Sequence, residues 1–70
     1  MNIYSKHMNE VIEYGASIVT TGALQKHFRT KRITKDMRED FAYQFIINFG
    51  EYVELIRLKE GYLVRKTEQI

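Results

Sequence analysis

Apolar side chains recur at helical spacing through most of the chain, and the four glycines, at 15, 22, 50 and 61, divide the pattern into segments. Tyr4, Met8, Val11, Ile12, Gly15 and Val19 share one face, with Lys6, Asn9, Glu10 and Glu13 opposite and Ser5 placed as an N-cap. This spacing predicts a helix over 5–18. Thr20 and Thr21 offer a fresh cap, and Ala23, Leu24 and Phe28 predict a short helix over 21–30, weakened by Gly22. In the third segment Met37, Phe41, Ala42, Phe45, Ile46 and Phe49 line one face while Arg38, Asp40, Gln44 and Asn48 face water. The pattern predicts a helix over 35–49, capped by Thr34 or by Asp36, which with Glu39 resembles a capping box; Gly50 supplies the left-handed residue that ends it.

The tail "VELIRLKEGYLVRKT" carries two patterns. Lys59-Glu60-Gly61 has the form of a three-residue hairpin loop with glycine in the left-handed region, which would pair Leu58 with Tyr62, Ile56 with Val64 and Glu54 with Lys66. Alternatively Phe45, Phe49, Tyr52, Val53 and Ile56 continue the helical spacing, and an all-α chain would extend its third helix through Gly50 to Glu60. Because Gly50 costs a helix about 1 kcal/mol, the hairpin is favoured. The expected fold class is α+β: one small domain over 1–70, three helices followed by a C-terminal β-hairpin.

Composition bounds this picture. Seventy residues, 44% of them hydrophobic and 29% charged, make a single folded unit. A chain this short buries only about 60% of the surface that its unfolded form exposes. With no cysteine, disulfides and thiolate metal sites are both excluded, and a reducing compartment is the expected home. Lys6, Glu10 and Glu13 interrupt any secretion-signal pattern, and no window approaches the roughly 18 apolar residues of a membrane span. A cytoplasmic protein without membrane contact is expected.

Charge distribution adds more than net charge, which is only +2. Residues 1–38 carry seven basic and three acidic side chains, residues 39–70 four and six. The stretch "KHFRTKRITKDMR" concentrates Lys26, Arg29, Lys31, Arg32, Lys35 and Arg38 at the join of the second and third helices. Such a cluster repels itself, and a polyanion relieves that repulsion. Thr30, Thr34 and Gln25 add groups able to touch phosphates or base edges. A second surplus is apolar: Tyr43 and Ile47 fall outside the core stripe of the third helix and, with Tyr52, mark a partner or homodimer surface unless the hairpin covers them.

Catalytic patterns are missing. The glycines are isolated, so no phosphate loop forms, and neither Ser5 nor Ser17 sits in a nucleophile elbow. His7 and Glu10, three apart, have the spacing of a metal-ligand pair but lack further ligands, and read as an exposed histidine beside a solvated carboxylate. His27 lies in the basic run and reads as a surface residue. Glu10/Glu13 and Glu39/Asp40 read as charge on solvated helix faces. A non-enzymatic protein with no cofactor and no metal is expected.

The order helix, short helix, helix, hairpin resembles small winged-helix and Cro-like repressors across most of the chain. In that alignment Ala23 takes the small-residue position of the helix-turn-helix, and His27 stands where the family has a turn glycine. Lys35, Asp36, Arg38 and Glu39 open the helix that would read DNA. The resemblance implies a dimeric regulatory DNA-binding protein, with Arg57, Arg65 and Lys66 of the hairpin extending the footprint. The alternative is an inhibitor or adaptor of the sort mobile elements encode, which docks the same basic edge on an acidic host protein and anchors through the aromatic surface.

Overall fold

A computed structural model describes residues 2–67. Gly15 decides the first departure from the sequence pattern: it adopts φ 88°, its N–H donates to Val11 O at 2.9 Å, and α1 (Ile3–Tyr14) ends there. Beyond it the chain does not continue as helix but extends into a strand, β1 (Ala16–Thr20), with Ser17 and Val19 buried and Ile18 and Thr20 exposed. The helical spacing of Gly15 and Val19 is coincidental. The cap of α1 is Asn2, whose side chain accepts from Ser5 N at 2.8 Å, rather than Ser5.

The third helix keeps its expected limits, and the second begins where expected but ends at Phe28, two residues early. Thr20 caps α2 (Thr21–Phe28) by accepting from Ala23 N, and Thr34 caps α3 (Lys35–Phe49) by accepting from Met37 N at 3.2 Å. Asp36 is therefore a first-turn residue near the positive end of the helix dipole, not half of a capping box. Gly50, at φ 68°, closes α3, and the all-α alternative is not adopted. The chain then forms two strands, β2 (Val53–Arg57) and β3 (Gly61–Lys66).

The hairpin forms, one residue out of the expected register. Arg57 pairs with Tyr62, Leu55 with Val64 and Glu54 with Arg65, so the turn is the two residues Lys59 and Glu60, closed by Leu58 N donating to Gly61 O at 2.8 Å. A slip of one position exchanges the faces of a strand. Gly61 is in the strand, and its φ is not positive. It is glycine because β1 lies against it: a Cβ there would overlap the Val19 carbonyl oxygen and stand 2.7 Å from Thr20 Cα.

The three strands form one antiparallel sheet in the order β1-β3-β2. One strand thus stands between α1 and α2, where three helices followed by a hairpin would have none. Register places Ser17, Val64 and Leu55 in one inward row and Val19, Tyr62 and Arg57 in the next, with Ile18, Leu63 and Ile56 on the opposite face. Met8, Val11, Val19, Leu24, Phe41, Phe45, Val53, Tyr62 and Val64 are buried in a single core. Within it Tyr4, Phe41 and Phe45 pack with ring centroids 5.1 to 5.6 Å apart. Among the described residues no helix is long and apolar enough to cross a membrane.

Candidate nucleic-acid interface

The turn between α2 and α3 is shaped by its own polar side chains. Arg29 ends α2 in the left-handed region, φ 55°, with its N–H on Gln25 O. Gln25 Nε2 donates to Lys31 O at 2.9 Å, and Thr30 Oγ1 both accepts from Arg32 N and donates to Arg32 O. Gln25, Thr30 and Thr34 therefore hold backbone, the last as a cap, where the sequence suggested phosphate or base contact. Their work is indirect: they fix the path along which Lys31, Arg32 and Lys35 emerge.

That path borders a groove of about 630 Å³ between α2, the turn, the start of α3 and the hairpin. Lys31, Arg32, Lys35, Arg38 and Arg57 line it, with Tyr62 at the base, and no aspartate or glutamate does. Arg57 arrives from β2 because the register sets it in the same inward row as Tyr62. Both guanidinium groups pack on the Tyr62 ring, Arg38 at 5.8 Å and Arg57 at 5.6 Å from its centroid. An aromatic ring holds them in place without neutralising them. Past these two arginines the groove continues into a smaller cleft of about 220 Å³ between α3 and β2, where Glu39, Ala42 and Leu55 join the lining.

Four of the six basic residues singled out by the sequence thus converge, namely Lys31, Arg32, Lys35 and Arg38. Lys26 and Arg29 are exposed outside the groove lining. In the hairpin Arg65 is bonded to Glu54 at 2.5 Å and Lys66 lies 3.3 Å from Glu51, so those two charges are already paired. The acids of α3 are sorted as well. Asp40 acts on Tyr4, helping burial to push that phenol's pKa up, and Glu39 reaches only the smaller cleft. The hairpin leaves Tyr43 and Ile47 uncovered, 54% and 59% exposed, and Tyr52 is 37% exposed. Ile12 and Phe49, which the sequence pattern set on the apolar faces of their helices, are exposed instead, and Tyr14 and Ile18 are exposed apolar residues that the pattern did not single out.

His7, read from sequence as exposed, is only 4% exposed. Its Nδ1 lies 2.6 Å from Ser17 Oγ, and the Ser17 hydroxyl donates to Glu10 Oε1 at 2.5 Å. Since serine has one proton and gives it to the carboxylate, the His7 Nδ1 must carry a proton and donate it to Ser17 Oγ. The three side chains fasten α1 to β1. The Ser17 hydroxyl is buried, and no group of three or more potential metal ligands occurs among the described residues. His27, exposed as expected, ties α1 to α2 through the Tyr4 hydroxyl, 2.8 Å from its Nε2.

Burial holds the His7 pKa below its ordinary 6.5, with Glu10 opposing and Lys6 assisting. The unfolded chain therefore takes up this proton at about pH 6.5 and the folded chain only at lower pH. Stability from the neutral ring is complete above about pH 6.5 and falls as pH drops towards the folded-state value. Denaturant midpoints measured across that interval should decline together with a low-titrating His7 ring signal in NMR. A ring titrating at or above its ordinary value would contradict the buried neutral histidine.

Comparison with known proteins yields no match to a family model, a curated protein or a solved structure.

Proposed function

We propose that this chain is a small, non-enzymatic regulatory protein that binds nucleic acid, DNA foremost, by seating phosphates against Lys31, Arg32, Lys35, Arg38 and Arg57. The observation that carries this reading is the groove's lining: five cations from three parts of the chain and no acid. A solvated charge run has no need to face inward around a concavity. Unneutralised cations at this density gain most from a ligand that releases condensed counterions.

The architecture supports the same reading. Two helices joined by a short, internally bonded turn lie beside a hairpin that reaches the same surface, as the resemblance to winged-helix and Cro-like repressors requires, while β1, between α1 and α2, departs from the order of three helices followed by a hairpin. In this proposal Tyr43, Ile47 and Tyr52 form the surface for a second copy, and the protein acts in the cytoplasm. Exposure of that surface also favours a second reading, an inhibitor that sets the basic groove on an acidic host protein and anchors through these side chains.

An NMR titration of the labelled protein with DNA at low salt tests the proposal. Amide shifts should concentrate at residues 31–38 and at Arg57, and should fade as salt is added. Absence of shifts there, with a host protein instead perturbing residues 43–52, would replace the DNA reading with the inhibitor reading.

A further inference from the structure

The smaller cleft differs from the groove in chemistry, and a row of phosphates does not account for it. Ala42 and Leu55 give it an apolar lining, Glu39 lines it as well, and Glu39 makes no ion pair among the described residues. Lys35, Arg38, Arg57 and Tyr62 line both the cleft and the groove, so the cationic trio is common to the two. At about 220 Å³ it is smaller than the roughly 300–1,000 Å³ pockets that enclose drug-sized molecules, a size suited to one planar ring system.

We infer that the cleft receives one unpaired nucleobase of the bound strand, with its phosphate held by Lys35, Arg38 and Arg57 and its exocyclic amino group donating to Glu39. This rests on the groove holding phosphates, and adds that the strand lying there is unpaired. Three observations lead to it. The cations ring a depression, whereas base edges within a duplex are read by elements that protrude into a groove about 12 Å wide. A single splayed strand can enter the depression. Next, the Tyr62 ring is 3% exposed, so it serves as backing for the Arg38 and Arg57 guanidinium planes, and these planes are what a base stacks on.

Finally, an acid at the edge of a phosphate site is a liability unless it has a donor to meet. Cytosine, adenine and guanine carry an amino group that a carboxylate accepts from. Thymine and uracil lack it, and their one remaining donor, the N3–H, is flanked by the O2 and O4 acceptors, which repel a carboxylate approaching it. The expected preference for a cytosine strand over a thymine strand is roughly tenfold, one good hydrogen-bonded contact.

Fluorescence anisotropy with labelled oligo-dC, oligo-dT and a blunt duplex of mixed sequence, all at one salt concentration, tests this. The dC strand should bind tighter than both others, and Glu39→Leu should bring the dC to dT ratio to about one. Ala42→Phe, which fills the cleft, should do the same, with a thermal melt of each variant confirming that it folds. A free-nucleotide arm separates two sources of the same chemistry. Displacement of the labelled strand by CMP but not TMP means that the cleft takes loose nucleotides, and displacement by neither means that it takes only a nucleotide within a chain; both uphold the cleft. Salt-dependent duplex binding with no preference for the dC strand, or a preference that survives Glu39→Leu, overturns this inference and leaves the groove intact. Loss of all binding would remove both.

Discussion

Replacing Gly61 with asparagine is expected to destabilise the fold by about 3 kcal/mol, the upper range for forcing atoms into a packed interior. A 70-residue chain has a net stability of roughly 4 to 10 kcal/mol, so the variant would keep about 1 to 7 kcal/mol and its denaturation midpoint would fall sharply. The cost comes from backbone meeting backbone. Any Cβ at 61 overlaps the Val19 carbonyl oxygen and crowds Thr20 Cα, and neither can rotate away as a side chain would. Relief requires β1 to separate from β3, which would also break the pairing of Ser17 with Val64 and of Val19 with Tyr62.

Gly15→Asn is the matched control. That glycine has φ 88° and open space around it, and asparagine tolerates the left-handed region, so the expected cost is about 1 kcal/mol. Urea denaturation of both variants gives the comparison. Equal, mild losses would mean that residue 61 is a turn glycine after all, and that the hairpin has the register read from the sequence.

Gly61 also shows why only part of this structure is legible in the sequence. Local signals are reliable where cause and effect lie within one segment. Thr34, the aromatic face of Phe41 and Phe45, and Gly50 together define α3, and its limits match. The reason for Gly61 lies some forty residues away, in the carbonyl of Val19, and no window around the turn contains it. Strand β1 is hidden for a related reason. Five residues give too short an alternation to compete with a helical spacing that Gly15 and Val19 happen to extend.

The candidate site divides in the same way. Lys31, Arg32, Lys35 and Arg38 are neighbours in sequence and stand out together. Arg57 enters the groove only through the row Val19, Tyr62 and Arg57, which depends on a register set by the whole sheet. The roles of Gln25 and Thr30 escape a sequence reading because a polar side chain that braces a turn looks, in sequence, like one that waits for a ligand. His7 meets Ser17 across a boundary between helix and strand that the pattern does not reveal.

Neutralising Lys31, Arg32 and Lys35 together to Ala is the second large effect expected. None of the three packs on Tyr62, so the core and the Arg38 and Arg57 arrangement are spared. Relief of mutual repulsion should leave the variant at least as stable as the parent. Its affinity for DNA at low salt, single-stranded or duplex, should fall roughly a hundredfold, because each lost phosphate contact forfeits its share of counterion release. Substituting Lys26, Arg65 and Lys66 instead removes the same formal charge from outside the groove, two of the three from existing ion pairs, and should change affinity little.

The slope of log affinity against log salt, measured for the parent and for these two triple variants, addresses the groove most directly. The parent should show a steep negative slope, shallower by about 2.7 on duplex or about 2.1 on a single strand in the Lys31, Arg32 and Lys35 variant and nearly unchanged in the other. Equal slopes in the two variants would show that the protein responds only to total charge, and that the groove between α2, α3 and the hairpin is not where phosphates sit.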